Sequence, residues 1–173
     1  CREACMEYRF ELAAPEDVEP VFRLYERRIS WMNDKNIRQW NTTGYLDAYP
    51  ISYYREQQRR GNLCVLRGED RLAGAVVLLT EDERWADRAA EPAYYVHNLV
   101  TSPAVPGAGR RILEEIERLG RDAGKCALRL DCAVDNAFLN AYYESGGYLP
   151  CGRCQDGSYC GNRREKRLSG GSC

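Results

Sequence analysis

The stretch Val105–Glu117, VPGAGRRILEEIE, sets two glycines one residue apart where an extended run gives way to an amphipathic helix. Gly107 and Gly109 remove side chains at that junction, so a ligand can reach the backbone. The free amides of a first helical turn and the helix dipole then favour an anion, with phosphate the natural guest. The dipole contributes about 0.3 to 1 kcal/mol per charge at an exposed helix start, so affinity also needs several amide hydrogen bonds and the side chain of Arg110 or Arg111. A Walker loop would need Gly-Lys followed by Ser or Thr, which is absent, and a dinucleotide fingerprint would need a third glycine where Ile112 stands. By itself the pattern fits equally a glycine-containing turn that binds nothing.

Other residues bear on proton transfer. His97 is the only histidine of the chain. Histidine suits a general base near neutral pH, and it suits equally a strand position bonded to a neighbour. Asp131 and the run Glu81, Asp82, Glu83 are further carboxylates able to take a proton, with a solvated surface position as the alternative for each. Cys151 and Cys154 form a CxxC followed by Cys160, but structural zinc needs four ligands and the sole histidine is distant in sequence. Packing thiols are the preferred reading, and no metal is expected.

The elements that position these residues follow from periodicity. MEYRFELA predicts a first strand. Val18, Val21, Phe22, Tyr25, Ile29 and Met32 form one apolar stripe over a helix from about Pro15 to Asn33. The segment WMNDKNIRQWNTTGYLDAYP carries Trp31, Trp40, Tyr45 and Tyr49 without a clean period and predicts a folded loop region. A short helix over Ile51 to Arg60 stops at Gly61, and NLCVLR and RLAGAVVLL flank Gly68-Glu69-Asp70 as a hairpin. TEDERWADRAAEP reads as a polar connector, and AYYVHNLVTSP as an aromatic-rich strand. The helix after the glycines ends at Gly124. CALRLDCAV predicts a strand, NAFLNAYYES a helix, and GGYLPCGRC and SYCGNRREKRL two last strands around Asp156-Gly157. The order predicts a mixed α/β layer with one right-handed strand-helix-strand crossover at its centre.

Length and composition set the frame. The 173 residues suit one domain, and the 25 Lys and Arg against 26 Asp and Glu leave no basic footprint for bulk nucleic acid or an anionic membrane. No apolar run approaches the ~20 residues of a membrane span. The nine cysteines are odd in number, and Cys64, Cys126 and Cys132 sit in apolar strand-like runs. This predicts a reduced, cytoplasmic protein.

From Tyr94 to Tyr148 the chain resembles the GNAT superfamily of acyl-CoA-dependent N-acyltransferases. The strand ending HNLVTSP runs into Ala104-Val105-Pro106-Gly107-Ala108-Gly109-Arg110, similar to the family's Gln/Arg-x-x-Gly-x-Gly-Ala/Gly loop that cradles the CoA pyrophosphate. The likeness continues through RRILEEIE, LRLDCAVDN and NAYYESGGY, and more loosely over the whole domain through WMNDKNIRQW and YCGNRREKRL. Two positions depart from the pattern: Ala104 replaces Gln or Arg, removing a side-chain contact but leaving the backbone amides, and Arg110 occupies the last motif position.

The resemblance implies a single GNAT domain over residues 1–168 with a flexible tail at 169–173. It implies a mostly antiparallel twisted sheet of about seven strands with a splayed fourth and fifth pair, flanked by four helices. The activity implied is transfer of an acetyl group from acetyl-CoA to a primary amine, on a small molecule or as a peptide N-terminal or lysine amine. The alternative is an acyl-CoA-binding module without turnover. Tyr143 matches the family tyrosine that protonates the leaving thiolate, with Tyr142 as a packing neighbour, and His97 is the candidate base. Leu99 and Val100 lie at the family's strand bulge, where backbone amides polarise the carbonyl. The donor would rest on Leu99, Val100, Thr101, Val105, Pro106, Gly107, Ala108, Gly109, Arg110, Arg111, Asn136 and Tyr143. Asn136 fits a helix N-cap equally well. Trp31, Trp40, Tyr45 and Tyr49, with Tyr53, lie where the family builds its acceptor pocket, and an aromatic core is the other reading. A monomer or homodimer is expected.

Overall fold

The computed structural model describes residues 7–170. Met6, in the first expected strand, and residues 171–173 of the expected tail lie outside them. Strand β1 (Arg9–Leu12) leads through a 3-10 turn (Pro15–Asp17) into helix α1 (Val18–Asp34). A second 3-10 turn (Trp40–Thr42), the one-turn helix α2 (Tyr45–Ala48) and α3 (Ile51–Arg59) follow. Then come β2 (Leu63–Arg67), β3 (Leu72–Leu79), a 3-10 stretch (Glu83–Arg88), β4 (Ala93–Thr101) and α4 (Ala108–Asp122). The chain finishes with β5 (Ala127–Ala133), α5 (Ala137–Ser145), β6 (Leu149–Asp156) and β7 (Tyr159–Arg167).

Hydrogen bonding orders the strands β1-β2-β3-β4-β5-β7-β6 in a seven-stranded sheet. β4 and β5 pair in parallel, while β1 with β2, β2 with β3, and β7 with both β5 and β6 pair antiparallel. Helix α4 supplies the crossover that parallel pairing needs. The parallel ladder runs only from Ala93↔Ala127 to Tyr95↔Arg129, whereas β5 stays paired to β7 as far as Ala133. Early loss of pairing is what a separated fourth and fifth strand requires. Among the described residues no helix is long and apolar enough to cross a membrane.

The chain divides into two compact units, one of residues up to Val77 with Asn98–Leu113, the other of Leu78–His97 with the residues from Glu114 onward. In the first unit α1 buries Val18, Val21, Leu24, Tyr25 and Met32. Phe22 and Ile29 of the expected stripe are only half-buried. The 3-10 turn before α1 is held by Asp17, whose carboxylate accepts from Ala14 N–H at 2.8 Å and from the Arg67 guanidinium at 2.7 Å. Gly74 on β3 sits beneath the start of α4. A Cβ there would lie 2.7 Å from both Ile112 Cδ1 and the backbone oxygen of Val100. The side chain can give way but the strand carbonyl cannot. Gly74→Ala is therefore expected to cost about 1–3 kcal/mol, read as a fall in Tm of about 2–4 °C per kcal/mol. An unchanged melting curve would contradict that close approach.

In the second unit the expected polar connector carries a core residue. Trp85 is fully buried and packs with Ala93, Tyr95 and Ala127. The guanidinium of Arg163 lies 4.7 Å from its ring centroid and that of Arg129 lies 5.3 Å away, the cation-over-ring arrangement that suits a buried indole. Arg129 is itself fully buried, so its charge must be matched. Glu165 accepts from Nε at 2.8 Å, Glu91 from one terminal nitrogen at 2.9 Å, and Tyr95 Oη and the Arg88 carbonyl from the other at 3.0 Å each. Cys64 and Cys132 are free thiols that burial pushes up to about 11, which keeps them protonated at neutral pH. Cys126 is disulfide-bonded, which corrects the expectation of a wholly reduced chain.

Candidate active site

In the first unit β4 ends at Thr101 and a tight loop turns the chain into α4. Val105 N–H donates to Ser102 O at 3.1 Å, and Ala108 N–H and Arg111 N–H close onto Val105 O and Gly107 O at 3.4 and 3.1 Å. Those bonds leave the Gly107 and Gly109 amides without an acceptor among the described residues. Gly107 has φ +83°, and a Cβ built on it meets nothing within 4 Å, so its backbone faces open space. Val105 and Ala108 turn their side chains into the core. Any contact they make with a ligand is through the backbone. Pro106, Arg110 and Arg111 are exposed. Thr101 is tied down by Arg28, whose guanidinium donates to Thr101 O at 2.6 Å and to Oγ1 at 2.7 Å. Ser102 and Ala104 also line a cavity of about 550 Å³ with Arg23, Arg27 and Arg71 on its wall.

Just before Leu99 the strand breaks its regular twist. Asn98 has φ +54°, a left-handed conformation that Asn tolerates better than most residues. Three tyrosines hold it there. Tyr25 Oη donates to the Asn98 carbonyl, Tyr53 Oη donates to Asn98 Oδ1 at 2.9 Å, and Asn98 Nδ2 donates to Tyr45 Oη at 2.5 Å. These residues come from α1, α3 and α2, so three helices fix one backbone irregularity on β4. Asn98 immediately precedes Leu99 and Val100, where the resemblance places a bulge.

The expected acceptor residues divide accordingly. Tyr45 is buried with its hydroxyl engaged by Asn98, so it supports β4. Trp40 stacks on it at 4.3 Å and 13°, Tyr49 tilts against it at 4.9 Å, and both are half-buried. Trp31 stands apart from that ring series, with the Arg28 guanidinium 4.8 Å over its face. Asn98 itself was not singled out. Its signal is a turn-forming residue inside an otherwise apolar and β-branched strand.

In the second unit His97 Nε2 lies 2.7 Å from Asp82 Oδ2. The other oxygen, Asp82 Oδ1, accepts from Arg84 N–H at 2.9 Å and caps the 3-10 stretch. Burial by itself would raise the Asp82 carboxyl, but the hydrogen bond and charge of His97, with the amide and charge of Arg84, hold it below the usual carboxylate range. Asp131, another candidate base, has a side chain only 7% exposed and occupied: Arg84 approaches at 3.3 Å and Tyr159 Oη donates at 2.6 Å. Glu81 and Glu83 are exposed.

Tyr143 projects from α5 and is 9% exposed. Burial pushes its phenol well above the ordinary value, with smaller contributions from Cys132, Tyr142 and Asp131. The ring packs on Tyr142 and Tyr148 at 5.4 and 5.9 Å. Its hydroxyl makes no hydrogen bond among the described residues. Asn136 caps α5 by accepting from Leu139 N–H at 3.0 Å, and its Nδ2 has no hydrogen bond among the described residues. The helix-cap reading of Asn136 is thereby met without excluding the other.

A model of the acetyltransferase (GNAT) family matches residues 25–148. Over 143 residues, 79% of this chain and 78% of the relative, the sequence is 32% identical to YesJ, an uncharacterised N-acetyltransferase of Bacillus subtilis. Among solved structures, a GNAT-family acetyltransferase from Listeria monocytogenes is 24% identical with a TM-score of 0.79, covering 95% of this chain and 97% of that one. The PaiA N-acetyltransferase from Thermoplasma acidophilum, solved in complex with coenzyme A, is 17% identical with a TM-score of 0.70, covering 94% and 100%. These two share the fold.

Proposed function

Because the chain belongs to the GNAT family of acetyltransferases, and is thus an acyltransferase, we propose that it moves an acetyl group from acetyl-CoA to a primary amine. The observation that carries the donor assignment is Gly107: a left-handed, exposed glycine opening onto free space, with its amide and that of Gly109 lacking acceptors among the described residues. This cradle fits a diphosphate, because unpaired amides at a helix start can satisfy phosphate oxygens where no side chain stands in the way. The Thermoplasma relative binds coenzyme A, which supports the same reading. Ala104 removes one side-chain contact, and Arg110 and Arg111 remain exposed to supply charge.

Acetyl-CoA supplies the acyl group as a thioester, already activated toward an amine. The residues of the chain do the remainder. An alkyl ammonium titrates near ~10.4, so at neutral pH a base must remove its proton before nitrogen can attack. We assign that role to His97. The Leu99 and Val100 amides, fixed behind Asn98, donate to the thioester carbonyl oxygen as negative charge develops there. As the C–N bond forms and the C–S bond breaks, Tyr143 Oη gives its proton to the departing sulfur, and the second proton that the nitrogen sheds in becoming an amide returns the Tyr143 phenolate to the phenol. The acceptor is a small molecule or a peptide N-terminal or lysine amine, met by the half-buried faces of Trp40 and Tyr49.

Calorimetry with acetyl-CoA, followed by thiol release across a panel of amines, tests this. Binding at sub-millimolar donor and turnover with at least one amine class are expected. Binding without turnover on any amine would replace the reading by that of a non-catalytic acyl-CoA-binding module, and no binding would remove both.

A further inference from the structure

The single histidine does not stand alone, and its partner decides which of its nitrogens can act. We propose that Asp82 is a positioning residue that holds His97 with its proton on Nε2, making Nδ1 the nitrogen that takes the proton from the incoming ammonium. This rests on the assignment of His97 as base.

The argument begins with what a carboxylate can do. An ionised Asp only accepts hydrogen bonds, and His97 Nε2 lies 2.7 Å from Asp82 Oδ2, so the hydrogen between them belongs to the imidazole. In the neutral ring one nitrogen carries the proton and the other a lone pair, so a proton fixed on Nε2 leaves Nδ1 as the basic site. Asp82 is in turn held in place. Its backbone is extended, φ −154° and ψ 120°, and its Oδ1 is occupied by Arg84 N–H at 2.9 Å. With one oxygen capping the 3-10 stretch, only the other is left to meet the ring. The two side chains are 16% and 9% exposed for His97 and Asp82, so water competes weakly for the bond.

Charge points the same way. The Arg84 guanidinium is directed to Asp131 and Asp156, at 3.3 and 3.1 Å. The Asp82 charge, which Arg84 also helps to keep ionised, lies against the imidazole and stabilises the imidazolium that forms when His97 accepts a proton. The low-lying Asp82 carboxyl keeps that charge well into the acid range.

The test uses the fact that the chain has one histidine, so a long-range proton–nitrogen correlation spectrum of uniformly labelled, ligand-free protein reports a single imidazole. Wild type is expected to show a pyrrole-type Nε2 and a pyridine-type Nδ1 once neutral. Asp82→Asn is the informative variant. Its side-chain oxygen can keep the cap on Arg84, which turns its NH₂ toward His97, and a donor there forces the neutral ring to the opposite tautomer. The spectrum should invert, kcat for thiol release should fall about 10²- to 10⁴-fold, and acetyl-CoA affinity should stay within about threefold because no donor contact changes. Asp82→Ser, which also caps, provides a folded control if the amide variant is unstable; it should lose the Nε2–H preference and show a comparable loss of kcat. An Nδ1–H tautomer in wild type would overturn the proposal, as would a folded Asp82→Asn protein with an unchanged spectrum or with kcat within about threefold of wild type. If wild type turns over no amine at all, the acetyl-transfer reading fails and carries the role of Nδ1 with it. The spectra then still show whether Asp82 sets the tautomer.

Discussion

Replacing Tyr143 by phenylalanine is expected to lower kcat on the order of 10²- to 10⁴-fold while leaving acetyl-CoA affinity within about tenfold. The substitution keeps the ring that packs on Tyr142 and Tyr148 and deletes one hydroxyl. That hydroxyl bonds to nothing among the described residues, so its loss strands no buried partner, and stability should change by less than about 1 kcal/mol. Burial holds the phenol well above its ordinary value, which works in two directions. It keeps the proton in place at every pH where the enzyme could operate, and it makes Tyr143 a weaker acid than free tyrosine. A thiol titrating near ~8.5 does not draw a proton from a phenol at ~10 or above unless the pair is held in register. The benefit therefore comes from a positioned donor meeting charge as it develops on sulfur, an interaction stronger in the transition state than in the bound donor. A Tyr143→Phe enzyme with full kcat would mean that the thiolate takes its proton from water or another group.

Gly107→Val is expected to weaken acetyl-CoA binding about 100-fold or more in calorimetry while the protein stays folded. Two effects combine. At φ +83° a β-branched residue is strained by about 1–3 kcal/mol, which the loop relieves by rotating its amides away from the direction in which they now point. The new side chain also enters the space that an added Cβ finds empty, which is the space assigned to the diphosphate. Nothing in the protein is displaced, so the stability cost is the strain alone, a few degrees in Tm. Gly109→Val acts differently. Gly109 lies inside α4, no positive φ is involved, and its effect on binding comes only from bulk at the helix start. A Gly107→Val protein that binds acetyl-CoA like the parent would place the phosphate site elsewhere.

The difference between these two glycines marks how far the sequence reaches. Their spacing before an amphipathic run announced a backbone left bare at a helix start, because close approach and helix periodicity are both local properties of the chain. Strand alternation and turn residues likewise determined the order of the seven strands and their helices, and Asn136 before AFLNAYY marked the N-cap of α5. What the sequence left undivided was which glycine bends the loop and which merely begins the helix, since φ is set by the closure of Val105 on Ser102 and of Arg111 on Gly107.

The partners of polar side chains were beyond it altogether. Asn98 meets Tyr25, Tyr45 and Tyr53 across 73, 53 and 45 residues of chain, and Asp82 meets His97 across 15. Read in isolation, Asp82 was one of three equivalent carboxylates, Trp85 part of a polar connector, and Tyr45 one of several pocket rings. A hydrogen bond forms within about 3 Å and in one direction, whereas a sequence period specifies only which face of an element a residue occupies. Tertiary packing alone turned Asp82 inward to the one histidine and left Glu81 and Glu83 in water.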